Sequence, residues 1–306
     1  MSEDHPQVVH EYRNWTLDST RWERFRPRDD DIVIATPYKS GTTWMQLIVG
    51  SLIFPDRSIH DVLAERPLSH ITPWIDLPHA PLDGVIDGLE AQAHRRFVKT
   101  HLPLDGLVYY PGVRYIVVHR DARDVFMSLW NHHASYREGI VEAFSVPGAD
   151  DIHTFWREWT TRGWFPWESE GYPYWSNLRH SQTWWDYRRL PNILFVHFNR
   201  LLEDLRGEIL RVAAFLGIPI SAEDAGRIAH EVTFSTVKEK ADTSFSGMGG
   251  MFVGGAQTFF YKATNGRWKA ALSEAELVLY EAAAERELTP ECRRWLESAV
   301  YPSRPD

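Results

Sequence analysis

The stretch Ile32-Val33-Ile34-Ala35-Thr36-Pro37-Tyr38-Lys39-Ser40-Gly41-Thr42-Thr43-Trp44 joins a short apolar run to a polar turn and then to a helical pattern. The run 32–35 is largely β-branched, which is typical of a strand covered on both faces. Pro37 ends this run. Trp44, Leu47 and Leu52 then follow at helical spacing. The stretch therefore predicts a buried strand, a turn and a helix.

The turn itself has the composition of a phosphate-binding loop. Ser40, Gly41, Thr42 and Thr43 are small residues whose backbone N–H groups can converge on an anion at the helix N-terminus. Lys39 adds a positive charge there. The Walker pattern G-x-x-x-x-G-K-[ST] is absent, because Lys39 precedes Gly41. An ordinary strand-turn-helix with one exposed lysine is the alternative interpretation of the turn alone.

Composition and charge bound the class of protein. The 306 residues, 43% of them apolar, can bury the core of one large domain or of two. A net charge of −9 argues against a nucleic-acid-binding surface, which needs a concentrated positive field. Cys292 is the single cysteine in the sequence, so neither an intrachain disulfide nor a cysteine-based metal site is predicted.

Targeting signals are lacking from the sequence. Residues 1–6 show neither the charged segment nor the apolar segment of a secretory signal, so a cytoplasmic location is expected. The longest apolar run, 45–54, is interrupted by Gln46 and is much shorter than the ~20 residues that a membrane span needs. No membrane span is predicted.

Strand-like and helix-like patterns alternate along most of the chain. Further strands are predicted at 97–103, 114–119 and 192–198. This alternation predicts an α/β fold, a three-layer arrangement in which helices flank a parallel sheet. Strand ends are where α/β active sites form, which draws attention to Lys99 and His101. With no repeat or linker in the sequence, a single domain over 1–306 is expected.

Local signals predict several further elements. Helices are expected from Ser58 to Ala64, within 90–95, over 202–215, and after the cap residues Ser221, Ser273 and Thr289. The aromatic-rich stretch 152–185 is expected to lie mostly in the core. The glycine-rich stretch 246–255 is either a mobile loop or a lid.

Three segments resemble, in their order and separation, the signature segments of the cytosolic sulfotransferase family, and the chain resembles a bacterial-type member. They are Thr36-Pro37-Tyr38-Lys39-Ser40-Gly41-Thr42-Thr43-Trp44, Lys99-Thr100-His101-Leu102-Pro103, and Arg120-Asp121-Ala122-Arg123-Asp124 followed by Ser128. With a fourth segment near Tyr261 the similarity covers roughly 30–270. It implies a P-loop-like α/β fold and a transferase that uses 3′-phosphoadenosine 5′-phosphosulfate (PAPS) and releases adenosine 3′,5′-bisphosphate (PAP).

The resemblance also implies roles for individual residues. His101 would be the general base, because a neutral imidazole can accept the proton of a hydroxyl nucleophile during in-line transfer. Lys39 would stabilise the leaving phosphate oxygen and Lys99 the sulfuryl oxygens, and no metal is required. The 5′ phosphosulfate end of the donor would be bound by Lys39, Ser40, Gly41, Thr42, Thr43 and Trp44.

The 3′-phosphate of the donor would be bound by Arg120 and Ser128, since arginine makes forked, charge-assisted bonds to phosphate. A structural ion pair of Arg120 with Asp121 or Asp124 is the alternative. Residues near the nucleotide in the family correspond here to Thr233, Phe234, Phe198, Tyr261, Lys262 and Ala263.

Two departures from the family pattern affect the nucleotide site. Phe198 stands where a tyrosine commonly approaches the nucleotide. Tyr261 and Ala263 replace an arginine and a glycine near the 3′-phosphate, whereas Lys262 is kept. Arg267 stands where an acidic residue is common and could supply the missing positive charge.

The predicted reaction moves a sulfuryl group to the hydroxyl, or amine, of a small aromatic or apolar acceptor. Segments expected to line the acceptor pocket include 74–81, 134–147 and the aromatic-rich stretch, and His132 and His133 could face it. A divergent P-loop phosphotransferase and a non-catalytic nucleotide-binding adaptor of the same fold are the alternatives. The identity of the acceptor and the oligomeric state are left open by the sequence.

Overall fold

The computed structural model describes residues 5–139, 151–245, 249–260 and 262–301. Tyr261, residues 140–147 of the expected pocket-lining segment 134–147 and part of the glycine-rich stretch lie outside these ranges. The chain forms two compact units. One comprises Met1–His119 with Thr183–Val232, and the other comprises Arg120–Gln182 with Thr233–Asp306. They are called the sheet unit and the helical unit below. The single domain expected over 1–306 stays a prediction.

Helices make up most of the regular structure. Two short 3-10 helices cover Ser19–Arg24 and Leu104–Gly106. In the described part of the chain, no helix combines the length and the apolar character that crossing a membrane requires. The α-helices, in chain order, are α1 (Thr42–Ile53), α2 (Ile59–Glu65), α3 (Leu68–Ile71), α4 (Leu82–Glu90), α5 (Ala122–Ala134), α6 (Ile152–Thr161), α7 (Asn177–Asp186), α8 (Phe198–Glu203), α9 (Leu205–Leu216), α10 (Ala222–Glu231), α11 (Phe234–Glu239), α12 (Ala241–Ser244), α13 (Ala256–Phe259), α14 (Trp268–Ala271), α15 (Glu274–Glu287) and α16 (Pro290–Ser298).

A parallel sheet is the centre of the sheet unit. Its strands are β1 (Ile32–Ala35), β2 (Phe97–Thr100), β3 (Arg114–His119) and β4 (Ile193–His197), in the spatial order β2-β1-β3-β4. All three strand pairs are parallel. Helix α1 contacts β1 and β2, and α9 contacts β4. The predicted α/β class, with helices flanking a parallel sheet, is confirmed.

The register aligns the carboxyl ends of the strands. Ala35 pairs with Thr100 of β2 and with Val117 of β3. The predicted continuation of β2 to Pro103 is wrong, because the chain leaves the sheet after Thr100. The Leu102 N–H donates to the Thr100 hydroxyl at 3.0 Å and not to a neighbouring strand. The residue after β2 is therefore His101, at the same edge of the sheet as the turn that follows β1.

Two predicted helices have other bounds in the structure. The helix expected within 90–95 is instead α4, which ends at Glu90. The Glu90 carboxylate bonds Arg28 and Arg96 beyond the helix. The helix expected over 202–215 is interrupted at Asp204, whose side chain accepts the Gly207 N–H at 2.8 Å and caps α9.

Helix starts followed the local signals more closely. Capping boxes are present at Ser221 and Ser273, and Thr289 caps α16 with Pro290 as its first residue. Ser58 lies at the N-cap position of α2, but its side chain makes no cap bond. These motifs depend on residues within one turn of each other, which is why sequence alone placed them.

A buried ion pair joins the start of β1 to the start of β2. Arg96 is 1% exposed and Asp31 3% exposed. The Arg96 Nε–H donates to Asp31 at 2.9 Å, and another N–H of the same guanidinium bonds the second carboxylate oxygen. The remaining donors of Arg96 reach Glu90 at 2.9 Å and the Arg26 carbonyl at 2.8 Å. The pair is thus fully hydrogen-bonded, as a buried charge must be.

In the helical unit, aromatic side chains pack between α5, α6 and α15. The Trp156 indole N–H donates to the Glu276 carbonyl at 2.9 Å. The Arg123 guanidinium lies 4.2 Å from the Trp268 ring centre and 4.9 Å from that of Tyr280. Most large aromatics of 152–185 are buried, as expected, and Trp164 is an exception at 37% exposure.

Asp31→Asn should lower the free energy of unfolding by about 3–5 kcal/mol, the usual cost of leaving one buried charge of a pair uncompensated. Urea unfolding followed by circular dichroism measures this change. Glu65→Gln is the matched control, because its pair with Arg57 is exposed and should leave the unfolding midpoint unchanged. Equal midpoints for the two variants would contradict the structural importance of the buried pair.

Candidate active site

The turn after β1 has a backbone conformation suited to binding an anion. Lys39 and Gly41 both have left-handed backbone conformations, with φ of 60° and 107°. Gly41 is the N-cap of α1, and no side chain caps this helix within the described structure. No side chain therefore caps the N–H groups of the first turn of α1. These groups point toward the position at which a helix N-terminus binds an anion.

Phe198, the first residue of α8, packs against this loop. A Cβ atom added at Gly41 would lie 3.1 Å from Cδ2 of Phe198, so a larger residue at 41 would crowd this ring and would also be strained by the positive φ. The Phe198 ring is also 5.5 Å from the Trp44 ring, nearly perpendicular to it. Phe198 thus supports the loop. The sequence comparison, in which Phe198 stands where the family commonly has a tyrosine, did not indicate this role.

Thr36 connects the loop to the candidate base, and sequence reasoning did not single it out. Its hydroxyl lies 2.6 Å from the Thr42 hydroxyl and 3.2 Å from Nδ1 of His101. Its carbonyl oxygen lies 2.8 Å from the same Nδ1. The position of Thr36 directly after a buried strand was the signal that could have identified it.

His101 is 6% exposed and has a defined tautomer. A backbone carbonyl can only accept, so Nδ1 carries the proton that is donated to Thr36, and Nε2 keeps its lone pair. Burial first, and then the charges of Lys99 and Lys39, lower the pKa of His101 to about 3. The ring is therefore neutral at neutral pH, and Nε2 can accept a proton.

Lys99 lies in β2, two residues before His101. Its ammonium is 4.5 Å from the centre of the Trp74 ring. Burial lowers the pKa of Lys99 to about 8, and the attraction of Asp76 opposes this effect. Lys99 is therefore mostly charged at neutral pH and loses its charge as the pH rises above about 8.

Trp74 and Asp76 also contact this centre. Trp74 pairs with Lys99 through a parallel backbone bridge, and its ring lies 4.9 Å from that of His101. The Asp76 carboxylate accepts the Trp74 indole N–H at 2.7 Å. Sequence reasoning placed Trp74 only at the start of a pocket-lining loop, because no local pattern predicts pairing with a strand so far along the chain.

In the helical unit, Arg120 directs its guanidinium at the loop 264–266. It is 4% exposed and donates to the Asn265 side-chain oxygen at 3.1 and 2.8 Å. Of the two acidic residues considered as alternative partners, Asp121 binds Arg123 at 2.9 and 2.7 Å, and Asp124 attracts the Arg120 guanidinium electrostatically. Burial lowers the pKa of Arg120 to about 10. The negative charge of Asp124 opposes this shift, and the positive charge of Arg267 adds to it.

The loop 262–267 is also bound to the first turn of α5. The Gly266 N–H donates to Asp124 at 2.6 Å. Ala263 adopts a φ of 48°, the left-handed conformation that a glycine adopts most easily. Lys262 is exposed, and Tyr261 lies outside the described residues.

Three other predicted residues have different surroundings. Ser128 is half-buried on α5, and its hydroxyl makes no hydrogen bond to any residue that the structure describes. Thr233 caps α11 by accepting the Thr236 N–H at 3.3 Å, which gives its hydroxyl a structural use. Phe234, the next residue, is half-buried.

The two histidines that could face an acceptor, His132 and His133, differ in their burial and in their neighbours. His133 is 2% exposed and packs against Phe155, with ring centres 5.3 Å apart. His132 is half-buried and lies 5.0 Å from Phe252 and 5.5 Å from Phe259, by ring centres. His133 therefore belongs to the core, and His132 to an aromatic cluster of the helical unit.

A search of the described ranges for three or more grouped His, Cys, Asp or Glu side chains that could hold a metal ion finds none. The metal-free reaction stays a prediction.

Comparison with known proteins gives consistent matches over most of the chain. A family model described as Sulfotransferase domain matches residues 29–289. The glycolipid sulfotransferase of Mycobacterium tuberculosis H37Rv is 32% identical over 321 residues, covering 96% of each chain. The human protein Sulfotransferase 1E1 is 28% identical and covers 81% of this chain and 80% of its own. A crystal structure of retinol dehydratase with retinol and PAP matches the fold with a TM-score of 0.68 at 24% sequence identity. The match covers 90% of this chain and 84% of the retinol dehydratase chain.

His101 should remain the neutral Nδ1–H tautomer from about pH 5 to about pH 8, because its pKa is far below that of an ordinary histidine. Long-range ¹⁵N–¹H NMR of the imidazole, assigned with the His101→Gln variant, measures this. A titration midpoint near the ordinary histidine value, or the opposite tautomer, would contradict the bond to Thr36.

Proposed function

The chain belongs to the sulfotransferase family, shown by the Sulfotransferase domain match over residues 29–289, and from this premise we propose that it transfers the sulfuryl group of PAPS to a hydroxyl, or amine, of a small apolar acceptor. The observation that carries the proposal is the neutral His101, whose Nδ1–H is held by the Thr36 carbonyl at 2.8 Å. A nucleotide-binding adaptor would have no need of a base with its tautomer set in this way.

The anionic 5′ end of the donor fits the loop after β1. The left-handed Lys39 and Gly41 and the helix N-terminus without a side-chain cap offer backbone N–H groups to a phosphate. When bound, the donor supplies an activated sulfuryl group and a phosphate leaving group. Lys39 and the first-turn amides of α1 then neutralise the charge that develops on the leaving oxygen.

His101 and Lys99 perform the complementary tasks. The acceptor oxygen forms its bond to sulfur as the bond from sulfur to the phosphate oxygen breaks, and the acceptor proton passes to Nε2 of His101. The Lys99 ammonium stabilises the sulfuryl oxygens. A base with a pKa near 3 is weak, but an anion beside Lys39 and Lys99 offsets the two charges that lower this pKa. Donor binding thus activates the base.

Arg120, Ser128 and Lys262 are proposed to bind the 3′-phosphate. Ser128 has a half-buried hydroxyl that can donate to it, and Lys262 is exposed. The bond of Arg120 to Asn265 keeps its guanidinium oriented in the absence of an anion. The left-handed Ala263 supports a loop backbone like the one that a family glycine would form. Tyr261, Thr233 and Phe234 stay proposed nucleotide contacts.

Arg267 is proposed to replace the arginine that Tyr261 displaces. It follows Gly266, whose N–H is fixed by Asp124. Its charge lowers the pKa of Arg120, so the two guanidinium groups repel each other. A phosphate that binds both would relieve this repulsion, and forked arginine donors suit phosphate oxygens.

An apolar acceptor is supported by two observations. The relative from Mycobacterium tuberculosis is named a glycolipid sulfotransferase, and the retinol dehydratase structure contains retinol. In the helical unit, His132 and Phe259 are half-buried, and their rings pack together with Phe252 in an aromatic cluster that leaves part of their apolar surface exposed. Assays with ³⁵S-labelled PAPS should give transfer to glycolipids or apolar alcohols and none to sugar polymers. Transfer to sugar polymers alone would contradict this acceptor class.

His101→Ala should lower kcat by about 10²–10⁴-fold, the contribution of a general base, and leave PAP binding nearly unchanged. Turnover with labelled PAPS and calorimetry with PAP measure the two quantities. His153→Ala is the control, because this exposed histidine of α6 bonds Glu276 instead. Retention of most activity in the His101 variant would remove His101 from the mechanism.

Arg267→Ala should weaken PAP binding by about tenfold, the loss of one charge-assisted hydrogen bond, and leave AMP binding unchanged because AMP lacks the 3′-phosphate. Calorimetry with both nucleotides measures the difference. Lys269→Ala removes a nearby exposed charge and is the matched control. An equal loss for PAP and AMP, or no loss for PAP, would exclude Arg267 from the 3′-phosphate site.

A further inference from the structure

Asp76 is a fully buried carboxylate that holds three N–H groups from separate segments. It is 0% exposed. Its two oxygens accept the indole N–H of Trp22 at 3.1 Å, that of Trp74 at 2.7 Å and the backbone N–H of His101 at 3.3 Å. Burying a carboxylate costs several kcal/mol. Burial raises the pKa of the Asp76 carboxyl, whereas the N–H donors of Trp74, Trp22 and His101 oppose this shift and favour the ionised form. The ionised carboxylate also attracts the Lys99 ammonium, a task that a neutral amide could not perform.

The Trp74 indole, held by Asp76, touches both proposed catalytic side chains. Its ring centre lies 4.5 Å from the Lys99 ammonium and 4.9 Å from the His101 ring, which is almost perpendicular to it. The backbone N–H of Lys99 also donates to the Pro73 carbonyl at 3.0 Å. A shift of the indole would therefore move Lys99 and His101 together.

We propose that Asp76 and Trp74 form a positioning pair for this active site. Asp76 fixes the indole of Trp74 and the backbone of His101, and the indole face holds the Lys99 ammonium beside the base. The inference rests on the proposed function, since it assigns a task to residues around His101 and Lys99. Neither residue exchanges a proton or touches the reacting atoms.

The charge of Asp76 also supports the protonated form of Lys99. Burial lowers the pKa of Lys99 to about 8, and Asp76 is the charged group that opposes this shift. The other charged or titratable groups around the centre are His101 and Lys39, and neither supplies a negative charge. Lys99 is charged below its pKa, so a loss of the Asp76 charge lowers that pKa and moves the alkaline limit of activity to lower pH.

The first experiment replaces the charge of Asp76. Asp76→Asn should shift the alkaline limb of the kcat profile to lower pH by about one unit, the size expected when an opposite charge is lost. Trp22→Phe is the matched control. This variant removes one hydrogen bond to Asp76 but keeps the Asp76 charge, so the alkaline limb of its kcat profile should not move. Equal shifts in both variants, or no shift in Asp76→Asn, would overturn the electrostatic part of the proposal.

An activity-independent measurement separates this inference from the proposed function. Competitive acetylation of Lys99 with acetic anhydride across pH, followed by mass spectrometry, reports its pKa without donor or acceptor. The midpoint should fall in Asp76→Asn and stay unchanged in Trp22→Phe. If no acceptor were sulfated by the wild-type enzyme, the proposed function would fail, and this labelling result would still decide the link between Asp76 and Lys99.

The second experiment tests the indole of Trp74. Trp74→Leu should lower kcat by about tenfold or more with little change in the donor KM, because displaced catalytic groups lose rate and not binding. Trp74→Phe keeps an aromatic face for Lys99 but loses the bond to Asp76, so it should be intermediate. Wild-type kcat in Trp74→Leu, or a rise in the acceptor KM alone, would make Trp74 an acceptor contact and overturn the positioning role.

Discussion

The hydrogen bond from His101 to the Thr36 carbonyl is the interaction on which the proposed chemistry depends. It joins the residues that follow β1 and β2, and it exists because these two strands are parallel and in register, with Ala35 opposite Thr100. The bond decides which ring nitrogen is left to accept a proton. The Thr36 hydroxyl extends the same contact to Thr42 at the start of α1. Base and phosphate loop are thus set by one pair of strand ends.

Features encoded by neighbouring residues could be predicted from the sequence. The bounds of β1 and β3 follow from continuous apolar runs, and the capping boxes at Ser221 and Ser273 follow from residues within one helical turn. Lys39, Lys99 and His101 were identified by their positions at or after the ends of strands. The structure places all three in the sheet unit, where Lys39 and Lys99 both lower the pKa of His101.

Contacts between distant segments could not be predicted in the same way. The bridge of Trp74 to Lys99 has no local sequence signal, and Asp76 gives no sign in the sequence that it is fully buried. Phe198 resembled a lost nucleotide contact until its packing against Gly41 was visible. The alternative considered for Arg120 was an ion pair with Asp121 or Asp124, its neighbours in sequence, whereas its guanidinium bonds the distant Asn265. In each case a long-range contact determines the role.

Positive charge without full compensation is common to the residues proposed to bind the donor. Burial lowers the pKa of Lys99 to about 8, that of Arg120 to about 10 and that of His101 to about 3, and neighbouring cations add to the shift for Arg120 and His101. An anion bound beside Lys39 and Lys99 would raise the pKa values of Lys99 and His101, and an anion bound at Arg120 would raise that of Arg120. By linkage, each anion binds more tightly when the group beside it is protonated. The charges of Lys39 and Lys99, which are proposed to attract the anionic donor, also help to keep His101 neutral. The base thereby gains strength when a sulfuryl group is available, and this coupling follows from the placement of the residues without any required change of fold.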